Sequence, residues 1–191
     1  SIKLPKEVYI NGNASVVGKK EGEGPLGQLF DMVGEDDMFG AKTWEEAESS
    51  LQKDAVYLAL GKAGKKPGDM RYIFAGDLLG QSIATSFGIM SYNIPLLGVY
   101  GACSTCGESL TLGAMIVAGG FAENVVCVTS SHFASAEKEF RETHGITGEL
   151  TQEQINQIWL LAANHIGLFI QWIIDRGFEG EDADPEDCAK V

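Results

Sequence analysis

The spacing of apolar and polar positions predicts alternating helices and strands over residues 43–130. Residues 43–46 read TWEE, a capping box, and the apolar positions after them recur every three or four residues as far as Gly61, which predicts a helix. Short apolar runs at 71–75, 94–100 and 124–129, bounded by Gly, Pro and polar residues, predict buried strands. A further helix is predicted over residues 80–92.

The least polar helix is predicted to begin at Ser104 or Thr105 and to end at the Gly119-Gly120 pair. Its apolar residues fall on every side, which predicts a helix that is buried all round. Small hydroxyl side chains at its start can cap the first amides. Cys103 lies just before it, where the positive end of the helix favours the thiolate as a nucleophile or an anion contact. The alternative is that Cys103 is a small buried apolar residue.

The order strand, helix, strand, helix, strand predicts a doubly wound, mostly parallel α/β sheet. Ligands of such sheets bind beyond the carboxyl ends of the strands. Asp77, Cys103 and His132 each follow a predicted strand, so we expect them to converge at that edge. Two other interpretations stand: Asp77 caps the next helix, and His132 is a solvated loop residue.

Composition narrows the classes of function. The 191-residue chain carries a formal net charge of −13, which argues against nucleic acid and anionic membranes as partners. Four cysteines without regular disulfide spacing, and N-terminal residues without a signal-peptide core, favour a reducing compartment. Cys103 and Cys106 form a lone C-x-x-C, and the acidic run at 35–37 resembles a solvated loop, so no metal site or cofactor is expected.

The two ends of the chain give weaker patterns. Residues 8–17 suggest a strand or hairpin, and residues 19–27 a charged, glycine-rich loop. Residues 151–176 predict a long helix that opens with the capping box TQEQ and carries a continuous apolar stripe. Asn164, His165 and Gln171 interrupt that stripe, so we expect a helix packed against the domain or another subunit rather than a membrane span.

Four motifs together resemble one family. KEGEGPLGQLFD (20–31), FAGDLLGQ (74–81), GACSTCGES (101–109) and TSSHFASAEKEFR (129–141) occur in the order found in the stage V sporulation protein AD family of the thiolase-like superfamily. The similarity runs from about residue 5 to Arg141. It implies a thiolase-like N-terminal half, built of a mostly parallel sheet covered by helices.

The resemblance also implies a function. The family handles dipicolinic acid (pyridine-2,6-dicarboxylate) during spore formation and germination, with membrane proteins of the same operon as partners. The matched motifs place Asp77, Cys103, Ser104 and His132 at the ligand pocket, with Cys103 where thiolase-like enzymes carry their acyl-accepting cysteine. A cytoplasmic or peripheral location at the spore inner membrane follows. Cys106 stands where the family is expected to have serine.

Beyond Arg141 the resemblance is lost, and the second half that the family should have is not present. We therefore expect a half-domain over residues 1–141 and a helical extension with an acidic terminus over 142–191. Three functional interpretations stand: dipicolinate binding, acyl transfer in which Cys103 attacks a thioester, and a truncated chain that is inactive or serves interaction only. A homo-oligomer is expected because a half-domain exposes the surface that its missing half should cover.

Overall fold

Strands and helices alternate along the described part of the chain. The computed structural model describes residues 3–78, 82–101, 104–132, 141, 145 and 147–154. The elements in order are β1 Val16–Val17, α1 Lys19–Gly22, β2 Met32–Val33, α2 Trp44–Lys62, β3 Tyr72–Asp77, α3 Ile83–Ile89, β4 Leu96–Gly98, α4 Thr105–Ala118 and β5 Val125–Ser130. Short 3-10 turns lie at Gly27–Leu29, Pro67–Asp69 and Met90–Tyr92.

The main sheet has the order β4-β3-β5, and both outer strands run parallel to β3. The register pairs Tyr72 with Val125 and Asp77 with Ser130, so the carboxyl ends of β3 and β5 are level. β4 is shorter than predicted, although the Pro95 carbonyl and the Val99 amide extend its bonds to β3. The predicted α/β class with parallel strands flanked by helices is confirmed, and it is consistent with a thiolase-like half.

The two faces of this sheet are covered by different helices. Successive side chains of a strand point to opposite faces. Ile73 of β3 belongs to the core cluster that includes Val56 of α2, whereas Phe74 lies near Gly113 of α4. The cluster on the α2 side consists of Val56, Leu60, Ile73, Ala75, Ile89, Val126 and Val128.

Helix α2 begins as its sequence predicts. The Thr43 hydroxyl accepts a hydrogen bond from the Glu46 amide at 3.2 Å, and the Glu46 carboxylate accepts one from the Lys42 amide at 3.0 Å. The face that it buries is broader than predicted. It includes two polar side chains one helical turn apart, Glu48 and Gln52, each less than 5% exposed.

Helix α4 corrects one prediction. It begins at Thr105 as expected, but it is not buried all round, since Leu110, Leu112 and Met115 are more than 40% exposed. Its buried residues are small: Thr105, Ser109, Gly113 and Ala118. A Cβ on Gly113 would lie 2.7 Å from the Cys127 sulfur, so only a face of small residues can approach the sheet this closely.

The N-terminal segment also differs from its prediction. Residues 8–15 are irregular, and β1 covers Val16–Val17 alone. Its partner is not a hairpin neighbour but β2, which pairs with it in parallel through Val16–Met32 and Val17–Val33. The predicted loop at 19–27 includes the single turn α1. A parallel pair requires a long-range partner that a local pattern does not identify.

The chain divides into two units, Leu4–Thr147 and a second one formed by Ser1–Lys3 with Gly148–Val191. In the second unit the Gln154 amide donates to the Thr151 hydroxyl, and the Gln154 side chain accepts from the Thr151 amide, as the capping box predicts. The rest of the predicted helix lies outside the described residues. The boundary after Arg141 stays a prediction. In the described ranges, no helix has the length and apolar character needed to cross a membrane.

Candidate functional site

The carboxyl edge of the sheet gathers buried polar groups, as the strand order predicts. Asp77 ends β3 opposite Ser130 of β5, and His132 follows two residues later. Asp77 is fully buried and His132 is 8% exposed. The charges of both groups act on the carboxyl of Glu48. The structure therefore brings two of the four predicted ligand residues to one edge.

Asp77 caps the helix that follows it. Its carboxylate accepts hydrogen bonds from the Ser82 amide at 3.1 Å, the Thr85 amide at 3.1 Å and the Thr85 hydroxyl at 2.9 Å. Ser82, at φ +66°, precedes the first residue of α3 and does not cap the helix with its own side chain. The amides at the start of α3 therefore depend on Asp77 as their acceptor. The capping interpretation of Asp77 is confirmed, and most of its acceptor capacity is used within the protein.

The start of α4 lies against the end of β3. A Cβ on Gly76 would lie 2.0 Å from the Val99 carbonyl oxygen and 2.7 Å from Cγ2 of Thr105. The Thr105 hydroxyl accepts a hydrogen bond from the Gly101 amide at 3.1 Å. Because Gly76 has no side chain, the loop after β4 and the first turn of α4 can both pack against the end of β3.

Ser104 does not cap α4 in the predicted way. Its hydroxyl donates to the Gly101 carbonyl at 2.8 Å and contacts the Glu108 carboxylate, and its side chain makes no bond to the first helical amides. The reason is its backbone, which is already helical at φ −80° and ψ −11°, whereas a capping residue is usually extended. Ser104 therefore leaves the first amides of α4 without a side-chain cap.

His132 is not a solvated loop residue. Its Nε2 lies 2.7 Å from the carbonyl oxygen of Asp37, which can only accept, so the proton of the neutral ring is on Nε2. Its Nδ1 is buried and has no hydrogen-bond partner in the part of the chain that the structure describes. A buried imidazole nitrogen without a partner is costly, and it marks a position where a donor is expected.

Two buried polar residues at this edge were missed from the sequence, Glu48 and Gln52 of α2. The Gln52 amide nitrogen donates to Ser130 Oγ at 2.7 Å and to Thr85 Oγ1 at 2.9 Å, and it lies 3.3 Å from the Gly76 carbonyl. The Ser130 hydroxyl donates to the Glu48 carboxylate at 2.7 Å. The signal that could have found the pair is its i, i+4 spacing beside the apolar stripe.

Burial is the main influence on Glu48. It raises the pKa of this carboxyl, and the negative charge of Asp77 raises it further. The hydrogen bond from Ser130 and the His132 ring act in the opposite direction. Glu48 is therefore a carboxyl that is hard to ionise, in the same cluster as a carboxylate that is held by three donors.

Cys103 lies outside the described residues, so its predicted role stays a prediction. Cys106 is exposed. Cys127 is half-buried in β5, and its thiol donates to the Ser109 carbonyl at 3.2 Å. Burial, with a smaller contribution from Cys106, raises the pKa of Cys127 to about 11. This thiol is a packing residue of the strand.

A shallow groove of about 410 Å³ lies away from this edge, beside α3 and β4. None of the predicted ligand residues lines it; its walls are Ser86, Ile89, Met90 and residues 93–96. Among the described residues, no three His, Cys, Asp or Glu side chains are grouped so that they could hold a metal ion.

These features define an α/β protein with a polar site at the carboxyl edge of a parallel sheet. The family described as Stage V sporulation protein AD (SpoVAD) matches residues 1–157, and the chain belongs to it. Stage V sporulation protein AD of Bacillus subtilis (strain 168) is 40% identical over 134 residues. That alignment covers 70% of this chain and 40% of the relative, so the chain spans well under half of its relative's length.

Proposed function

We propose that this sporulation-family chain binds dipicolinic acid at the carboxyl edge of its sheet. The observation that carries the proposal is a buried His132 whose Nδ1 has no partner among the described residues, at the same sheet edge as an α4 N-terminus that Ser104 does not cap. Family membership supports it, because the resemblance implies this ligand. The fold supports it too, because anionic groups bind at helix N-termini beyond strand ends.

In this proposal different donors bind the two carboxylates of the ligand. Amides of the first turn of α4, together with the side chains of Cys103 and Ser104, receive one carboxylate. His132, when protonated, donates from Nδ1 to the other, while Nε2 stays on the Asp37 carbonyl. Asp77 does not touch a carboxylate; it orients the turn through Ser82 and Thr85.

Calorimetric titration of the purified chain with dipicolinate tests this function. We expect saturable binding that weakens by roughly 10- to 100-fold in His132→Ala, because one charge-assisted hydrogen bond is lost. Ser50→Ala serves as the matched control, since this hydroxyl is bonded only to the Glu46 carbonyl of its own helix. Pyridine-2-carboxylate, with one carboxylate, should bind more weakly. A folded protein that does not bind dipicolinate would refute the proposal.

The role in the cell is part of the same proposal. A dipicolinate-binding chain of this family would act in the uptake of the ligand into spores or in its release. Its partners would be membrane proteins of the same operon, and its location cytoplasmic or peripheral at the spore inner membrane. Co-purification of those membrane proteins with the tagged chain from sporulating cells tests the partnership; recovery of the chain alone from solubilised membranes would count against it.

We also propose that copies of this chain associate. The support is the exposed apolar side of α4, where Leu110, Leu112 and Met115 are 42–45% exposed and Glu108 is the one charged residue of the helix. At a net charge of −13, copies of the chain repel each other. Contact is therefore most favourable across a surface with few charges, such as this face.

A further inference from the structure

A single amide connects two buried carboxyl groups at the proposed site. Gln52 lies 3.3 Å from the Gly76 carbonyl, which can only accept, and this contact places its nitrogen rather than its oxygen on that side. The two hydroxyls that also contact this nitrogen must then accept from it. Their own protons point outward, from Thr85 to Asp77 and from Ser130 to Glu48.

The two carboxyl groups are not equivalent. Asp77 accepts from two amides and one hydroxyl, so its two oxygens are used as acceptors. Glu48 is 4% exposed and accepts from the Ser130 hydroxyl. Burial and the charge of Asp77 both raise the pKa of Glu48. When the cluster takes up a proton, Glu48 is the favoured acceptor.

The cluster also contains two acceptors without donors. Gln52 Oε1 and His132 Nδ1 are both buried, and neither has a partner among the described residues. Glu48 lies one helical turn from Gln52 on the same face of α2, and protonation of Glu48 adds a donor to this cluster. Protonation therefore supplies what the cluster lacks, whereas ionisation adds a second buried negative charge.

The titratable groups around Glu48 come from three directions. Asp77 faces it from β3, His132 from the segment after β5, and Glu45 from its own helix. Helix α3, which also packs against α2, contributes no titratable side chain. Among the described residues around Glu48, His132 is the neighbour whose charge favours the ionised carboxyl.

We infer that the proposed site takes up a proton when it binds a dicarboxylate, and that Glu48 receives it. The inference rests on the proposed function, because it needs an anionic ligand beside His132. A dianion brought to this edge adds negative charge near Glu48, and this charge favours the neutral carboxyl. Affinity should consequently fall as pH rises, by at most about tenfold per pH unit for one proton.

Calorimetry in buffers of different ionisation enthalpy at pH 7 measures this proton directly. Wild-type protein should take up a fraction of a proton, up to one, for each dipicolinate bound. Glu48→Gln copies the neutral carboxyl, and it should take up less proton than wild type, with any uptake that remains assigned to His132. Glu123→Gln removes an exposed carboxylate at the opposite end of β5 and should behave as wild type.

The outcomes separate this inference from the proposed function. Binding without proton uptake, or equal uptake by Glu48→Gln and wild type, would overturn the inference and leave dipicolinate binding intact. Absence of binding in all variants would overturn both.

The pH dependence of stability, measured without ligand, is an independent test of the same assignment. Because the folded-state pKa of Glu48 is raised, wild type should lose stability relative to Glu48→Gln as pH rises from about 4.5 through that pKa. A pH-independent difference between the two proteins would also overturn the assignment of the proton to Glu48.

Discussion

Gly76 shows how much a single missing side chain determines at this site. A Cβ at Gly76 would collide with the Val99 carbonyl oxygen and the Thr105 methyl group, and the Gly76 carbonyl lies 3.3 Å from the Gln52 amide nitrogen. The predicted strand ended at residue 75, whereas the structure continues β3 through Gly76 to Asp77. Glycine is required at this position because a side chain would collide with neighbouring atoms, and not because the backbone adopts a positive φ.

Gly76→Ala should destabilise the protein by about 3 kcal/mol, because the new Cβ meets the Val99 carbonyl at 2.0 Å and backbone cannot move aside cheaply. Urea unfolding measures the change. Gly61→Ala is the matched control: it lies in α2, no atom lies within 4 Å of its added Cβ, and it should stabilise by roughly 0.5–1 kcal/mol. Equal effects of the two substitutions would contradict the packing argument.

Cys127 should resist alkylation that modifies Cys106. With a pKa of about 11, only about 0.1% of the Cys127 thiol is ionised at pH 8, and the thiolate is the reactive form. Treatment with iodoacetamide, followed by peptide mass spectrometry, should show label on Cys106 in the native protein and on both residues in urea. Equal native labelling of the two thiols would show that Cys127 is not held by the strand.

At the scale of elements, the start of a helix was easier to predict than the face that it buries. Thr43 and Thr151 begin their helices with the side-chain bonds that their capping boxes imply. Such bonds are local, and four residues contain all the information. The buried side of α4 depends instead on Cys127 and Phe74, which are distant in sequence, and the abundance of its apolar residues wrongly predicted burial on every side.

Thr43→Ala should cost about 1 kcal/mol of stability, since the Glu46 amide loses its acceptor at the first turn of α2. Thr43→Ser keeps the hydroxyl and should stay within a few tenths of wild type. Urea unfolding at neutral pH distinguishes the two. Matching losses in both variants would indicate that the threonine methyl group, and not the capping bond, stabilises this end.

At the scale of the whole molecule, the order of elements was predictable because each strand is a short apolar run with distinct ends. The candidate site was predictable in part for the same reason, since Asp77 and His132 follow strands that lie side by side. Glu48 and Gln52 were not, because polar residues on a helix are ordinarily solvated. Their burial depends on α2, α3 and β5 meeting, which a single sequence does not reveal.

The α4 face gives the prediction that concerns the molecule as a whole. If copies of the chain pair through it, the mass in solution should rise with concentration, and Met115→Glu should shift the equilibrium toward the monomer by bringing two like charges into the contact. We expect at least about a tenfold weaker association, measured by sedimentation equilibrium.

Leu29→Glu is the control for that experiment, because it adds the same charge away from α4. Leu29 is 76% exposed in the 3-10 turn Gly27–Leu29. A monomer at every concentration would remove the proposal of self-association. An equal shift in the two variants would show that net charge, rather than the α4 face, governs association. A selective effect of Met115→Glu would instead locate the contact on the helix whose N-terminus forms the proposed ligand site, so that pairing and binding could influence each other through α4.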